Sequence, residues 1–149
     1  MRIIIQRVSQ SSVIIDNISC ASIQRGFLIL LGITHEDTHE DILWLTQKIL
    51  NLRIFNDEHG KMNLSIQDIK GELLIVSQFT LYASTNKGNR PSFLNSSRPE
   101  LAIPLYNDFV STLQQSNLIV KTGIFGADMK VSLVNDGPVT ISIDSKNKE

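Results

Sequence analysis

The 149 residues carry 14 basic and 15 acidic side chains, a formal net charge of −1, and 42% of them are hydrophobic. So balanced a chain does not coat nucleic acid broadly, although a small footprint on one end of an RNA stays open; it is too apolar for disorder and has no membrane-spanning run. The size is that of one domain over residues 1–149. The lone Cys20 forbids an internal disulfide and fits a reducing, cytoplasmic setting.

The opening Met1 to Arg7 is too short and too soon interrupted for a signal peptide, and Arg2 to Val8 reads as the first strand. Ser12 to Ile15 is again β-rich, Asp16-Asn17 is a turn, and Ile18 to Ile23 follows as a strand, giving an N-terminal meander in which Cys20 is a packing residue. Phe27 to Leu31, a continuous apolar run between Gly26 and Gly32, predicts a strand buried on both faces. A helix then starts at the capping pair Thr38 and Asp41, with Ile42, Leu45, Thr46 and Ile49 as its apolar face and Leu43 and Leu50 widening it. Leu73 to Leu81 is the next predicted strand. A second helix begins near Pro99 and buries Ala102, Leu105, Tyr106, Phe109, Val110 and Leu113, with Pro104 forfeiting one hydrogen bond. Leu118 to Gly123, Lys130 to Val134 and Val139 to Asp144 close the chain as strands. The order β-β-β-α-β-α-β-β-β predicts an α/β fold of the α+β type: a mixed, largely antiparallel, barrel-like sheet with two main helices on one face.

Several motifs carry chemistry. His35-Glu36-Asp37-Thr38-His39 spells H-E-x-x-H, but zinc hydrolysis needs both histidines on one helical face, and Thr38 as the cap leaves His35 in the preceding loop. No G-x-S-x-G elbow is present. Gly123-Ile124-Phe125-Gly126 shapes a turn. Lys87-Gly88-Asn89-Arg90-Pro91 is a basic, turn-rich loop suited to a phosphate or sugar contact. In Ser77-Gln78-Phe79-Thr80-Leu81, strand alternation sends Ser77, Phe79 and Leu81 one way and Gln78 and Thr80 the other, with Phe79 placed to stack on a base. In Asn135-Asp136-Gly137-Pro138-Val139-Thr140, Gly137-Pro138 makes a rigid, exposed corner between two strands and a candidate cis peptide.

These last two segments together resemble both signature motifs of the D-aminoacyl-tRNA deacylase family. The resemblance covers almost the whole chain. It includes Met1-Arg2, Gln6-Arg7-Val8, Arg90-Pro91-Ser92-Phe93 and Phe125-Gly126-Ala127-Asp128-Met129. It implies a cytoplasmic homodimer that hydrolyses the ester between a D-amino acid and the terminal adenosine of tRNA, with no cofactor or metal and no membrane or DNA partner. Ser77, Gln78, Phe79 and Thr80 are then the catalytic motif lining the pocket. Gly137, Pro138, Asn135, Arg7 and Met129 are substrate-binding, the Gly137-Pro138 corner entering the partner subunit's pocket. Lys87 and Arg90 are tRNA contacts. Ser84, Asn86 and Asn89 stand where charged residues are common in the family, which implies weaker contacts from that loop.

For such an ester, backbone N–H groups near Phe79 and Thr80 are the expected oxyanion donors. Thr80 has no evident basic partner, so water assisted by the ribose 2′-hydroxyl is expected to attack rather than Thr80. Selection by exclusion at a main-chain corner should ignore side-chain identity and spare glycine no better than a D residue. Few basic residues near the site imply an affinity that falls gently with salt. The rival readings are a zinc-dependent hydrolase using His35 and His39 and a non-catalytic RNA-binding dimer.

Overall fold

The computed structural model describes residues 1–148. Its organising element is β1 (Arg2–Ile15), a strand of 14 residues rich in β-branched side chains and long enough to serve several partners. Its second half pairs antiparallel with β2 (Ile18–Ile23) through the Asp16-Asn17 turn, where φ is positive at both residues (50° and 63°), as a two-residue hairpin requires. Its first half pairs antiparallel with β3 (Gly26–Gly32). The predicted meander is thus replaced by the order β2-β1-β3, because one long strand accommodates both neighbours end to end.

The chain then forms α1 (His39–Asn51), a short hairpin of β4 (Phe55–Asn56) and β5 (Met62–Leu64) that the sequence pattern did not signal, and β6 (Glu72–Ser77), parallel to β3. After α2 (Pro99–Gln114), β7 (Val120–Thr122) lies parallel to β6. β8 (Lys130–Asp144) runs antiparallel along nearly the whole of β1. The edges β2 and β7 come back together: Lys121 Nζ donates to the Ser22 carbonyl at 2.6 Å. The result is a nearly closed, barrel-like mixed sheet with two helices on one face.

Two apolar clusters hold it. Val8, Val13, Ile23, Leu28, Leu74 and Val76 pack inside the curled sheet. Ile3, Ile5, Phe27, Ile29, Leu73 and Ile75 pack under the helices, against Ile42, Leu45 and Ile49 of α1 and Tyr106, Phe109 and Leu113 of α2. The predicted faces of both helices are therefore buried, with Leu105 partly so and Leu43 exposed. The Thr38 N–H donates to Asp41 Oδ2 at 2.8 Å, the expected cap of α1. Gly26 has no room for a side chain: a Cβ there would sit 1.8 Å from the Glu72 carbonyl oxygen, so glycine is what lets β3 and β6 close.

Three predicted elements differ. Cys20 is exposed rather than packed, since Ala21 and Ile23 take the inward face of β2. The strand predicted over Leu73–Leu81 stops at Ser77 and becomes a 3₁₀ turn over Phe79–Tyr82. The reason is the ladder: Leu31–Ser77 is the last β3–β6 pair, and β7 reaches only to Ile75, so nothing remains for residue 79 to bond. The two predicted strands flanking Gly137-Pro138 are one strand, because both halves pair with β1 and the chain never reverses. Among the described residues no helix is long and apolar enough to cross a membrane.

Candidate active site

A cleft of about 570 Å³ opens where the parallel strands β3 and β6 end and α2 begins. Open α/β sheets place ligands at this strand-end position, since the backbone leaves the ladder there with unspent donors and acceptors. Ser77, Gln78 and Phe79 form one wall and Met129 another. The alternation expected for a strand is lost with the 3₁₀ turn, so Gln78 lies on the cleft beside Ser77 and Phe79 rather than opposite them. The Phe79 ring is exposed and meets Phe93 edge-on, with centroids 5.0 Å apart. Behind the lining residue Phe125 lies Tyr106, whose ring meets it at 5.6 Å and whose hydroxyl donates to the Ile75 carbonyl at 3.0 Å. Burial pushes the Tyr106 hydroxyl up to about 12, so it stays a donor at any physiological pH.

Thr80 is exposed and does not line the cleft; its hydroxyl accepts a hydrogen bond from Gln78 Nε2. No histidine contacts it. His35 Nε2 lies 2.9 Å from the Leu94 carbonyl, and His39 Nδ1 is 2.6 Å from Asp108 on α2. The two residues of the H-E-x-x-H string thus serve separate contacts, His35 in the loop and His39 on the first turn of α1. Among the described residues no three His, Cys, Asp or Glu side chains group to hold a metal ion. What the 3₁₀ turn does present is backbone: its N-cap Gln78 makes no side-chain capping bond to the first N–H groups, which have no partners within the turn.

The second motif forms a separate feature. On β8, Asp136 to Val139 bulge out between the pairs Gln6–Thr140 and Val8–Asn135, opposite Arg7 alone. The Gly137-Pro138 peptide is cis, Gly137 has φ of 129°, and both residues are exposed. The bulge is braced from beneath. The buried Arg7 donates from Nε to the Asp136 carbonyl at 2.9 Å and from Nη1 to the Ile54 carbonyl at 2.5 Å. Asn135 spends both ends of its amide on the same loop, accepting from the Val139 N–H at 2.8 Å and donating to Thr140 Oγ1 at 2.8 Å. The corner does not line the cleft of its own chain. Lys87 and Arg90 stand on an exposed loop closed by paired Ser84–Ser92 backbone bonds of 2.8 Å.

Sequence reasoning missed Arg98 and the serines before α2, which also line the cleft. The available signal was Pro99: a proline at a helix start after a loop of small polar residues marks a backbone turning into the strand-end region.

Fold and site define the class first: a small mixed α/β protein with a strand-end cleft that, among the described residues, is lined by hydroxyls and aromatic faces and by no histidine or cysteine. A family model described as D-Tyr-tRNA(Tyr) deacylase matches residues 4–144, and the chain belongs to that family. It is 63% identical, over the full length of both chains, to a protein of Flavobacterium psychrophilum named D-aminoacyl-tRNA deacylase. A solved structure named c-Myc DNA Unwinding Element Binding Protein superposes with a TM-score of 0.92 at 42% identity, over 97% of this chain and 98% of that one. Another, described as a probable eukaryotic D-amino acid tRNA deacylase, shares the fold with a TM-score of 0.81 at 17% identity, over 95% and 97% of the two chains.

Proposed function

We propose that this protein hydrolyses the ester joining a D-amino acid to the 3′-terminal adenosine of tRNA, as a cytoplasmic homodimer whose Gly137-Pro138 corner completes the cleft of its partner. The observation that carries this reading is the division of the two motifs. Ser77 to Phe79 line a cleft at the start of a 3₁₀ turn whose first N–H groups have no partner within the turn, while the braced, exposed corner of the same chain does not line that cleft. Each feature is incomplete alone, and a two-fold dimer is the simplest way to join them.

In this reading the adenine stacks on Phe79 and Phe93. The ester carbonyl oxygen meets the Phe79 and Thr80 N–H groups, which stabilise the charge that develops as water adds to the carbonyl carbon. The bond to the ribose 3′-oxygen then breaks, and that oxygen leaves with a proton, assisted by the neighbouring 2′-hydroxyl. Thr80 has no base beside it and its hydroxyl stands outside the cleft, tied to Gln78, so it contributes a backbone N–H and is not the nucleophile. The Gly137 and Pro138 carbonyls of the partner hold the substrate's amino group, so an L side chain is driven into the wall while a D side chain points outward. Glycine has nothing to exclude, and glycyl-tRNA is therefore also a substrate. Lys87 and Arg90 sit on the loop that faces the rest of the RNA.

The test is deacylation of matched D-tyrosyl-, L-tyrosyl- and glycyl-tRNA by the purified protein. Release from the D and glycyl esters with the L ester intact is expected. An intact D ester would refute the activity, and an intact glycyl ester at enzyme levels that clear the D ester would refute pure exclusion.

A further inference from the structure

We infer that Arg98 is a substrate-binding residue of this cleft, one that takes the phosphate on the 5′ side of the terminal nucleoside and so selects a nucleotide-linked ester over a free aminoacyl nucleoside. The inference rests on the deacylase reading above and adds to it the chemical class of the ligand's second anchor.

Three observations carry it. Among the described residues Arg98 is the only cationic side chain lining the cleft, at the end where α2 begins. The only carboxylate there, Asp128, is engaged 2.7 Å from Lys130 Nζ. The Arg98 guanidinium has no ion pair or hydrogen bond among the described residues, whereas Arg2, Arg7 and Arg53 each spend theirs on a carboxylate or a carbonyl. Its backbone is committed: the Arg98 carbonyl accepts from the Leu101 and Ala102 N–H groups at 3.1 and 2.9 Å. The side chain is thus anchored at its root and free at its tip, in a cleft otherwise faced by Phe79, Phe93 and Phe125.

An unpaired guanidinium beside aromatic faces matches a nucleotide better than it matches an amino acid. The planar fork suits two phosphate oxygens, and the rings suit the base. The positive end of α2 adds charge of the same sign. The aminoacyl group itself offers an ammonium, which this cation repels. That sends the amino end away from Arg98, toward the wall the corner is proposed to complete, and leaves the phosphate for Arg98.

The experiment compares two D-tyrosyl esters: one on the dinucleotide cytidylyl-(3′→5′)-adenosine, which has a single phosphate at the relevant place, and one on adenosine, which has none. With Arg98→Ala, KM for the dinucleotide ester should rise about tenfold, the size of one charge-assisted hydrogen-bonded contact, with kcat kept. The ratio of KM values for the two esters should fall toward one. Arg98→Lys should recover most of the loss as a point charge, and the salt dependence of KM on the dinucleotide ester should flatten in Arg98→Ala by about one counterion. An equal loss on both esters, or no loss on either, overturns the assignment. Wild-type protein that cleaves neither ester overturns the deacylase reading and this inference with it.

Discussion

At the residue scale the burden falls on few side chains. The Thr80 hydroxyl is tied to Gln78 and has no acid–base partner, so Thr80→Ala should keep kcat within about tenfold of wild type in single-turnover assays. Removal of a true nucleophile costs on the order of a million-fold, so the two outcomes are far apart. Gly137 is the opposite case. A Cβ there would lie 2.8 Å from Arg7 Nη2 and 2.9 Å from Val139 Cγ2, at a φ that L side chains rarely adopt. Gly137→Ala should cost about 1–3 kcal/mol in denaturant unfolding. By shifting the corner it should also reduce deacylation on the order of a hundredfold. Asp41 contributes to the loss of stability in acid. Burial raises its carboxyl, but bonds from Lys146 Nζ at 2.8 Å, the Ser145 hydroxyl at 2.6 Å and the Thr38 N–H outweigh that and hold it well below the usual carboxylate range. Its folded value lies below the unfolded one of about 3.9, so the unfolded chain takes up the proton first. The stability contributed is complete above that pH and drains away as pH falls through the folded value. Asp41→Asn should therefore lower stability at pH 7 by about 1–3 kcal/mol and flatten the pH dependence below about 4, measured by urea unfolding across pH.

At the scale of elements, the helices were readable and the strand ends were not. α1 and α2 carry their limits in local chemistry, Thr38 with Asp41 and Pro99 at a first turn, and both fall where the pattern put them. A strand has no such local stop. β6 ends at Ser77 only because β3 and β7 have no further residues to offer, and β8 stays continuous through Gly137-Pro138 because β1 lies alongside both halves. The β3–β6 junction should be the most intolerant point of the sheet. At Gly26 the added Cβ meets backbone rather than a yielding side-chain tip, so Gly26→Ala should cost more than about 3 kcal/mol or prevent folding, read by thermal unfolding and soluble yield.

At the scale of the molecule, the proposed dimer is tested by complementation. Gly137→Ala spoils the corner and Phe79→Ala spoils the cleft. If the corner acts across a two-fold axis, co-expressed chains in equal amounts pair at random. About a quarter of all sites then combine an intact corner with an intact cleft, and activity should return to that level from two strongly impaired parents. No recovery would place corner and cleft in the same chain. A dimer mass in sedimentation at micromolar concentration is expected alongside.

Periodicity, caps and turn residues are local, and they were enough for the fold class, both helices, the buried strand β3 and the two motifs that identify the family. Three things depended on how distant segments meet: the end of β6, the continuity of β8, and the placing of Ser77 to Phe79 in a cleft that the Gly137-Pro138 bulge of the same chain does not enter. Hydrogen-bond partners far along the chain decide where a strand stops and which way a bulge faces, and no window of neighbouring residues contains them. Arg98 shows the same division: its identity and position are plain in the chain, but that it lines an aromatic cleft with no side-chain partner among the described residues is a property of the assembled molecule.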